Sequence, residues 1–350
     1  MERLQETSFP DIKGAGASSR ISPQILTTVL LALFCVMEGC SGQKSQVPFN
    51  QGEYQQILDR QKAGLAFTDE PMTDSSKEMT PQDYDNLGDL YLRQNNPAMA
   101  IVQYQKAVEA DPSLFQVHNK IGEMFLKRGL PHDAVPHFQE VLKHDDKNAL
   151  ALAGIGEAYF RMGQEKEAEE SFRKAIALDP NRWQTHNFLG MLLDRQKRHE
   201  EAIAEYEQGL KVSPNEATLL NNLGLAYYLV GRYEDAVKSF QQALLTGSGQ
   251  PKIHNNLGLA LAKLNRYHDA LESFRRGTSE EEAYNNLGMF YLSAGKAGNA
   301  VACFKKAIEI SPRYYDKAND NLRMAKHQLE KNQEANTESI GISQSRCPAS

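Results

Sequence analysis

Histidine is the residue type in this chain that could carry a proton or bind a metal near neutral pH. The chain has nine histidines, and three lie close together in the second half of one helical pattern: His132, His137 and His144. Their spacings of five and seven residues do not place a ligand pair on one helix face with carboxylate support. Three others fall on buried helix positions and indicate packing: His118, His186 and His254. We therefore expect no metal and no cofactor.

Other kinds of reactive site are equally weak in this sequence. The Leu-Gly-Leu strings at 223–225 and 257–259 are not phosphate loops, because each glycine lies inside a helical pattern and does not follow a strand. No serine or cysteine stands in a catalytic arrangement with histidine. The four cysteines show neither zinc-site spacing nor a disulfide framework: Cys35, Cys40, Cys303 and Cys347. We predict a protein that is not an enzyme.

Asn-Asn-Leu-Gly is the motif that the chain repeats, at 221–224, 255–258 and 285–288. Its glycine belongs to a series with intervals of 34 residues and a last interval of 30: Gly88, Gly122, Gly156, Gly190, Gly224, Gly258 and Gly288. An alanine stands 12 residues after each glycine and an aromatic residue 16 residues after it. Proline closes four of the repeats, at Pro112, Pro180, Pro214 and Pro312.

This pattern resembles the tetratricopeptide repeat, with seven copies over 81–314. The resemblance implies an all-α fold, a right-handed solenoid of helix-turn-helix repeats, with a capping helix over 315–331. The glycine and alanine remove side-chain bulk where two helices cross, and the aromatic residues fill the gap to the next repeat. Pro136 interrupts one second helix, and the short sixth repeat should lose about a turn of its second helix; both sites could bend the solenoid.

The N-terminal segment reads as an export signal. Residues 25–37 are uncharged and too short to span a bilayer comfortably, and Arg20 precedes them. The run ends at Gly39-Cys40, which resembles a bacterial lipoprotein signal in which Cys40 becomes the lipidated N-terminus. Met37 and Glu38 depart from that pattern. A plain cleaved signal, an uncleaved anchor and an apolar segment without meaning are the alternatives.

The remaining boundaries follow from composition. We expect a leader over 1–40, a largely disordered linker over 41–80 and a disordered polar tail over 332–350. The net charge of −6 shows no basic excess, so we expect no nucleic-acid partner.

The asparagines of the motif suggest a binding site. The residue two before each glycine lies about 150° from the apolar stripe, so it should face away from the core. In this family that side lines the concave groove, where the resemblance implies an asparagine ladder that holds an extended peptide or partner protein. The predicted partner-binding residues are Asn86, Asn221, Asn222, Leu225, Leu229, Asn255, Asn256, Leu259, Asn285, Asn286 and Met289. The alternatives are that asparagine is only polar filler, and that neighbouring repeats partly bury the apolar residues.

The early repeats place self-satisfying ion pairs in the same groove: Asp89 with Arg93, Glu123 with Lys127, and Glu157 with Arg161. The sequence thus predicts a non-catalytic interaction scaffold, exported to the cell envelope and anchored in the outer membrane through Cys40. Pilus or secretion-system assembly is the suggested setting. An intracellular, cytoplasmic adaptor or a regulatory subunit associated with an enzyme is the alternative.

Overall fold

The computed structural model describes residues 79–248, 250–311 and 315–344, with side chains as far as Glu334 apart from that of Ser248. The predicted leader with Cys40, the linker as far as 78, and Pro312 lie outside these residues. Within the described ranges, no helix combines the length and the apolar character needed to cross a membrane.

The described residues form fifteen α-helices, arranged as seven consecutive pairs and one final helix. Each pair is one predicted repeat, so the all-α solenoid is confirmed. The pairs are α1 (Pro81–Arg93) with α2 (Pro97–Ala110), α3 (Phe115–Lys127) with α4 (Pro131–His144), α5 (Ala149–Arg161) with α6 (Glu165–Leu178), α7 (Trp183–Arg195) with α8 (His199–Val212), α9 (Ala217–Leu229) with α10 (Tyr233–Ala243), α11 (Pro251–Lys263) with α12 (Tyr267–Gly277), and α13 (Glu280–Ser293) with α14 (Ala297–Ile310). The final helix is α15 (Asp316–Gln344).

The turn inside each repeat requires one residue with positive φ, seven positions after the repeated glycine. Glycine supplies it in four repeats, at Gly129, Gly163, Gly231 and Gly295, with φ between 72° and 82°. Asparagine supplies it at Asn95 and Asn265, and lysine at Lys197 with φ 63°. A residue without Cβ adopts this conformation freely, whereas lysine is strained there. The turn at Lys197 is therefore the least favourable of the seven.

Each repeat is held together by contact between its glycine and its aromatic residue. A Cβ placed on Gly122 would lie 2.6 Å from the Phe138 ring, and one on Gly224 would lie 2.6 Å from the Phe240 ring. Both rings are fully buried. The expectation that glycine removes bulk at the helix crossing is confirmed. The aromatic ring fills the space above its own glycine; Phe138 also packs against Gly154 of the next repeat.

The predicted irregularities have different outcomes. Helix α12 has 11 residues where α14 has 14, so the lost turn in the sixth repeat is confirmed. Pro136 lies inside α4, yet α4 runs through it and also has 14 residues. A wider helical turn over Leu244–Ser248, with Gly247 at φ 78°, follows α10 and was not predicted.

Helix α15 covers the last repeat as expected, with Ala318 and Ala325 fully buried. It continues to Gln344, so the predicted end of the cap at 331 is wrong, as is the disordered tail as far as 344. In the register of the repeats, Arg323 takes the place of the repeated glycine and is exposed. An arginine at this position does not allow the close helix crossing that a glycine allows. Within the described residues, a single helix therefore packs on the last repeat.

Candidate functional site on the inner face

The inner face of the solenoid is formed by the first helices of the repeats. From α3 onward, each first helix contacts the first helix of the next repeat, and α13 contacts α15 in the same way. On this inner side of the solenoid, we call the solvent-facing surface of α7, α9, α11, α13 and α15 the late inner face. We call the corresponding side of α1, α3 and α5 the early inner face.

The asparagines of the motif form hydrogen bonds between successive first helices. Asn222 Nδ2 donates to Asn187 Oδ1 at 2.9 Å, and Asn256 Nδ2 donates to Asn221 Oδ1 at 2.9 Å. Each of these bonds joins residues 35 apart in sequence. The donor stands two residues before the glycine of one repeat, and the acceptor three residues before the glycine of the repeat that precedes it. The doubled asparagine thus gives a repeat one acceptor and one donor.

The same connection continues to the end of the solenoid. Asn286 Nδ2 donates to Asn255 Oδ1 at 3.4 Å, the longest bond of the set, across the shortened sixth repeat. Asn321 Nδ2 of α15 donates to Asn285 Oδ1 at 2.8 Å. We call these four inter-repeat bonds the amide ladder. Its last rung explains why α15 keeps the Asn-Leu of the motif although it has lost the glycine.

The amide ladder corrects the predicted orientation of the asparagines. Asn221, Asn222, Asn256 and Asn285 are at most 5% exposed, so the expectation that they face away from the packed interior is wrong. Asn255 and Asn286 are half-buried, and Asn86 of the first repeat is exposed. The helical wheel located these residues correctly relative to their own helix. It could not show that the next first helix lies directly over them.

On the early inner face, the first contact between repeats at this position is an ion pair, and the next interface lacks a side-chain donor. Lys120, which corresponds to Asn222, donates to Asp85 at 2.7 Å and to Asp89 at 2.8 Å. At the next interface Gly154 occupies the donor position, and the buried Asn119 Oδ1 has no hydrogen-bond partner among the described residues. The amide ladder is therefore confined to the later repeats.

Two of the three predicted ion pairs are present on the early inner face. Arg161 lies 2.6 Å from Glu157, and Lys127 lies 3.9 Å from Glu123. Asp89 instead contacts Lys120, and its Oδ1 accepts a 2.6 Å hydrogen bond from the Tyr104 hydroxyl. Burial raises the pKa of Asp89, but the hydrogen bonds from Lys120 and Tyr104 outweigh it and leave the pKa below its usual value. These carboxylates are neutralised within the protein.

The late inner face carries apolar side chains that the repeats leave partly uncovered. Leu225, Leu259 and Met289 are half-buried, and Leu229 is 36% exposed. Met324 of α15 occupies the equivalent position and is 51% exposed. Sequence reasoning missed Met324 because it treated α15 only as a cap. The signal was the Asn321-Leu322 pair, which sets α15 in the register of the repeats. We call the set Leu225, Leu229, Leu259, Met289 and Met324 the apolar strip.

The buried and half-buried histidines contact neighbouring residues of the protein. His186 is 4% exposed, and its ring nitrogens lie 2.8 Å from Glu205 Oε2 and 3.0 Å from the Pro180 carbonyl oxygen. His118 Nδ1 lies 3.2 Å from His137 Nδ1. Burial, with a smaller effect of His118, lowers the pKa of His137 to about 4. The residues described by the structure contain no group of three histidine, cysteine or acidic side chains able to hold a metal ion.

Solved structures similar to this chain share its solenoid. The C-terminal part of a tetratricopeptide repeat-containing protein from Cytophaga hutchinsonii is 18% identical, with 68% of this chain and 98% of that chain covered and a TM-score of 0.52. The APC/C hetero-tetramer Cut9-Hcn1 is 18% identical over 85% of this chain and 59% of that chain, with a TM-score of 0.50. MamA is 29% identical over 46% of this chain and 94% of that chain, with a TM-score of 0.41. At 18% identity the likeness to the first two concerns the fold alone, and the third, with its TM-score of 0.41, supports no conclusion.

Comparison of the sequence with family descriptions gives the identity of the domain. No curated protein matches the sequence. The family model described as Cilia and flagella-associated protein 70 C-terminal domain matches residues 52–284, and the model described as Tetratricopeptide repeat matches residues 281–314. The first covers more than half of the chain. The chain therefore belongs to the tetratricopeptide repeat family, in the group that the Cilia and flagella-associated protein 70 C-terminal domain represents.

Proposed function

We propose that this protein is a non-catalytic scaffold that binds a partner protein on its late inner face. The observation that carries this proposal is the apolar strip, which runs from α9 to α15 on the inner side of the solenoid. Apolar side chains that line a continuous exposed surface favour contact with another protein. The early inner face offers no comparable surface, because its carboxylates already pair with lysine and arginine.

The amide ladder changes which residues we assign to the contact. The amides of Asn221, Asn222, Asn256 and Asn285 are buried between helices, so we assign them to the spacing of the first helices. The contact surface in this proposal consists of the apolar strip with the half-buried Asn255 and Asn286. The ladder supports the binding role indirectly, by fixing the distance between successive members of the strip.

A photo-crosslinking experiment tests this assignment. A benzophenone amino acid replaces Leu229 on the late inner face, or Lys305 on the exposed side of α14 as the matched control. We expect a defined crosslinked partner from position 229 and not from position 305. Leu225→Gln with Leu259→Gln should abolish that product. Equal crosslinking from both positions, or a product that the double variant leaves unchanged, would contradict a binding role for this face.

We further propose that the scaffold is exported and held at the cell envelope through a lipid on Cys40, where pilus or secretion-system assembly is the suggested setting. The support for this proposal is the uncharged run over 25–37 followed by Gly39-Cys40. We expect the mass of the mature unaltered chain to show cleavage before Cys40 and an attached lipid, and Cys40→Ser to lack the lipid and to keep the leader. Cys35→Ser is the matched control. A mature unaltered chain whose mass shows neither cleavage before Cys40 nor an attached lipid would rule out the lipid anchor, and its absence from the membrane fraction would favour the intracellular adaptor.

A further inference from the structure

The apolar strip is flanked by three lysines that form no ion pair among the described residues, although Lys263 Nζ lies 6.0 Å from the centroid of the Phe290 ring. Lys252 stands seven residues before Leu259 on α11, and Lys263 stands four residues after it, so both share its helix face. Lys317 stands in the same relation to Met324 on α15. All three are exposed, and none forms an ion pair among the described residues.

The other charged groups considered near the apolar strip are one carboxylate and one arginine that is already ion-paired. Glu282, seven residues before Met289, is the one carboxylate in the corresponding position on α9, α11, α13 and α15, whose side chains there are all described. Arg195 on α7 is drawn away from the face, because its Nε lies 2.8 Å from Glu165 Oε1 and its guanidinium covers the Phe160 ring. The late inner face therefore carries a net positive charge, although the chain as a whole has a net charge of −6.

The early inner face is the internal contrast. Most cations there lie beside an acid, as Arg161 does with Glu157 and Lys120 with Asp85 and Asp89, whereas Arg93 forms no ion pair among the described residues. Such paired charges attract a ligand weakly, since a ligand carboxylate would have to compete with the existing partner. Unpaired lysines beside exposed apolar side chains present no such competition. The difference between the two halves points to an occupant with carboxylates and apolar groups together.

We propose that the late inner face binds an acidic, amphipathic segment of a partner protein. Its apolar side chains lie on the apolar strip, and its aspartate or glutamate side chains face Lys252, Lys263 and Lys317. This inference rests on the proposed scaffold function and adds the chemical class of the partner. An anionic membrane surface would offer the same two features, and competition between vesicles and the peptide, described below, distinguishes it from a protein segment.

The test begins with selection from a displayed library of random peptides of about sixteen residues, a length that covers several helical turns or an extended strand. The full chain is the bait. We expect the selected peptides to carry an excess of aspartate and glutamate over lysine and arginine, together with several apolar residues. Affinity is then measured by fluorescence anisotropy with one selected peptide, in low and high salt. Salt should weaken binding, because screening acts on exposed charge pairs.

Matched variants locate the contact and separate the two proposals. Lys252→Glu with Lys263→Glu should weaken binding of the acidic peptide by about tenfold or more, because each attraction becomes a repulsion. Lys305→Glu with Lys238→Glu makes the same charge change on second helices and should leave the affinity unchanged. Leu225→Gln with Leu259→Gln should also weaken binding, and circular dichroism of all variants should match that of the unaltered chain.

Each other outcome overturns a stated part. Selected peptides that are basic or neutral, but still depend on Leu225 and Leu259, overturn the acidic class and leave the scaffold function intact. Peptides whose binding ignores both pairs of variants overturn the late inner face as the site, and with it the scaffold proposal. Binding to vesicles of phosphatidylglycerol that displaces the acidic peptide from the full chain overturns the choice of a protein segment over a membrane surface.

Discussion

The amide ladder makes a prediction about stability that can be measured one rung at a time. Asn256→Ala removes the donor that lies 2.9 Å from Asn221 Oδ1, in a site where Asn256 is 2% and Asn221 is 3% exposed. The change leaves a buried acceptor without a partner. An unpaired buried polar group costs about 1–3 kcal/mol, so we expect the free energy of unfolding to fall by about that amount.

The assay is urea unfolding of the full chain, followed by far-ultraviolet circular dichroism. Asn86→Ala is the matched control, because Asn86 is exposed and accepts only a 3.4 Å bond from Gln82 on its own helix. That substitution should change stability by less than about 0.5 kcal/mol. The double variant Asn221→Ala with Asn256→Ala should cost less than the sum of the single changes, because the two side chains share one bond.

The results that would refute the reasoning are specific. If Asn256→Ala and Asn86→Ala shift the unfolding midpoint equally, the buried rung contributes nothing. If the costs of Asn221→Ala and Asn256→Ala are additive, the two amides do not interact in solution. A further expectation concerns cooperativity: stability in a solenoid is a sum of repeats and the interfaces between neighbours. Loss of this rung should therefore separate unfolding of the last repeats from that of the first.

Three further predictions concern single positions. Gly224→Ala places a Cβ 2.6 Å from the Phe240 ring and should destabilise the protein by about 1–3 kcal/mol; equal stability in urea would show that the ring can move aside. Lys197 has a φ of 63°, so Lys197→Gly should relieve backbone strain and stabilise the protein by about 1 kcal/mol. Gly129→Ala, at φ 74°, should destabilise the protein. A lower melting temperature for Lys197→Gly would show that the lysine is not strained. Because the pKa of His137 falls from its usual 6.5 to about 4 on folding, the unfolded chain binds the proton first, so stability should be full above pH 6.5 and decline towards pH 4 by about 3 kcal/mol. His137→Gln should remove that part of the decline in unfolding titrations, and an unchanged pH profile would contradict the assignment.

The repeats were predictable because their determinants are local. The glycine and the aromatic residue 16 positions later lie in the two helices of one repeat, and the short turn between those helices fixes how they meet. One residue type at each of a few positions therefore predicts the packing, as at Gly224 and Phe240. The shortened α12 was predictable for the same reason, since the interval between Gly258 and Gly288 measures it directly.

The site was less predictable because its contacts join different repeats. Burial of Asn222 depends on Asn187, 35 residues away, and the pairing of Asp89 depends on Lys120, 31 residues away. A helical wheel describes one helix and contains neither distance. The end of α15 was also missed, since its polar C-terminal part, after Leu329, lacks the apolar spacing that marked the other helices.

The amide ladder has a consequence for how such a chain can lengthen. A repeat with two adjacent asparagines offers one acceptor forward and one donor backward, so a duplicated copy inserted beside it completes the same bonds on both sides. The ion pair between Lys120 and Asp85 lacks this property. A duplicated repeat inserted between these two residues would place lysine opposite an asparagine, or aspartate opposite an asparagine amide. At the interface between the second and third repeats, Gly154 has no side chain that could donate such a bond. Repeats can therefore be added or removed among the asparagine repeats without changes in their neighbours, and the number of these repeats sets the length of the apolar strip.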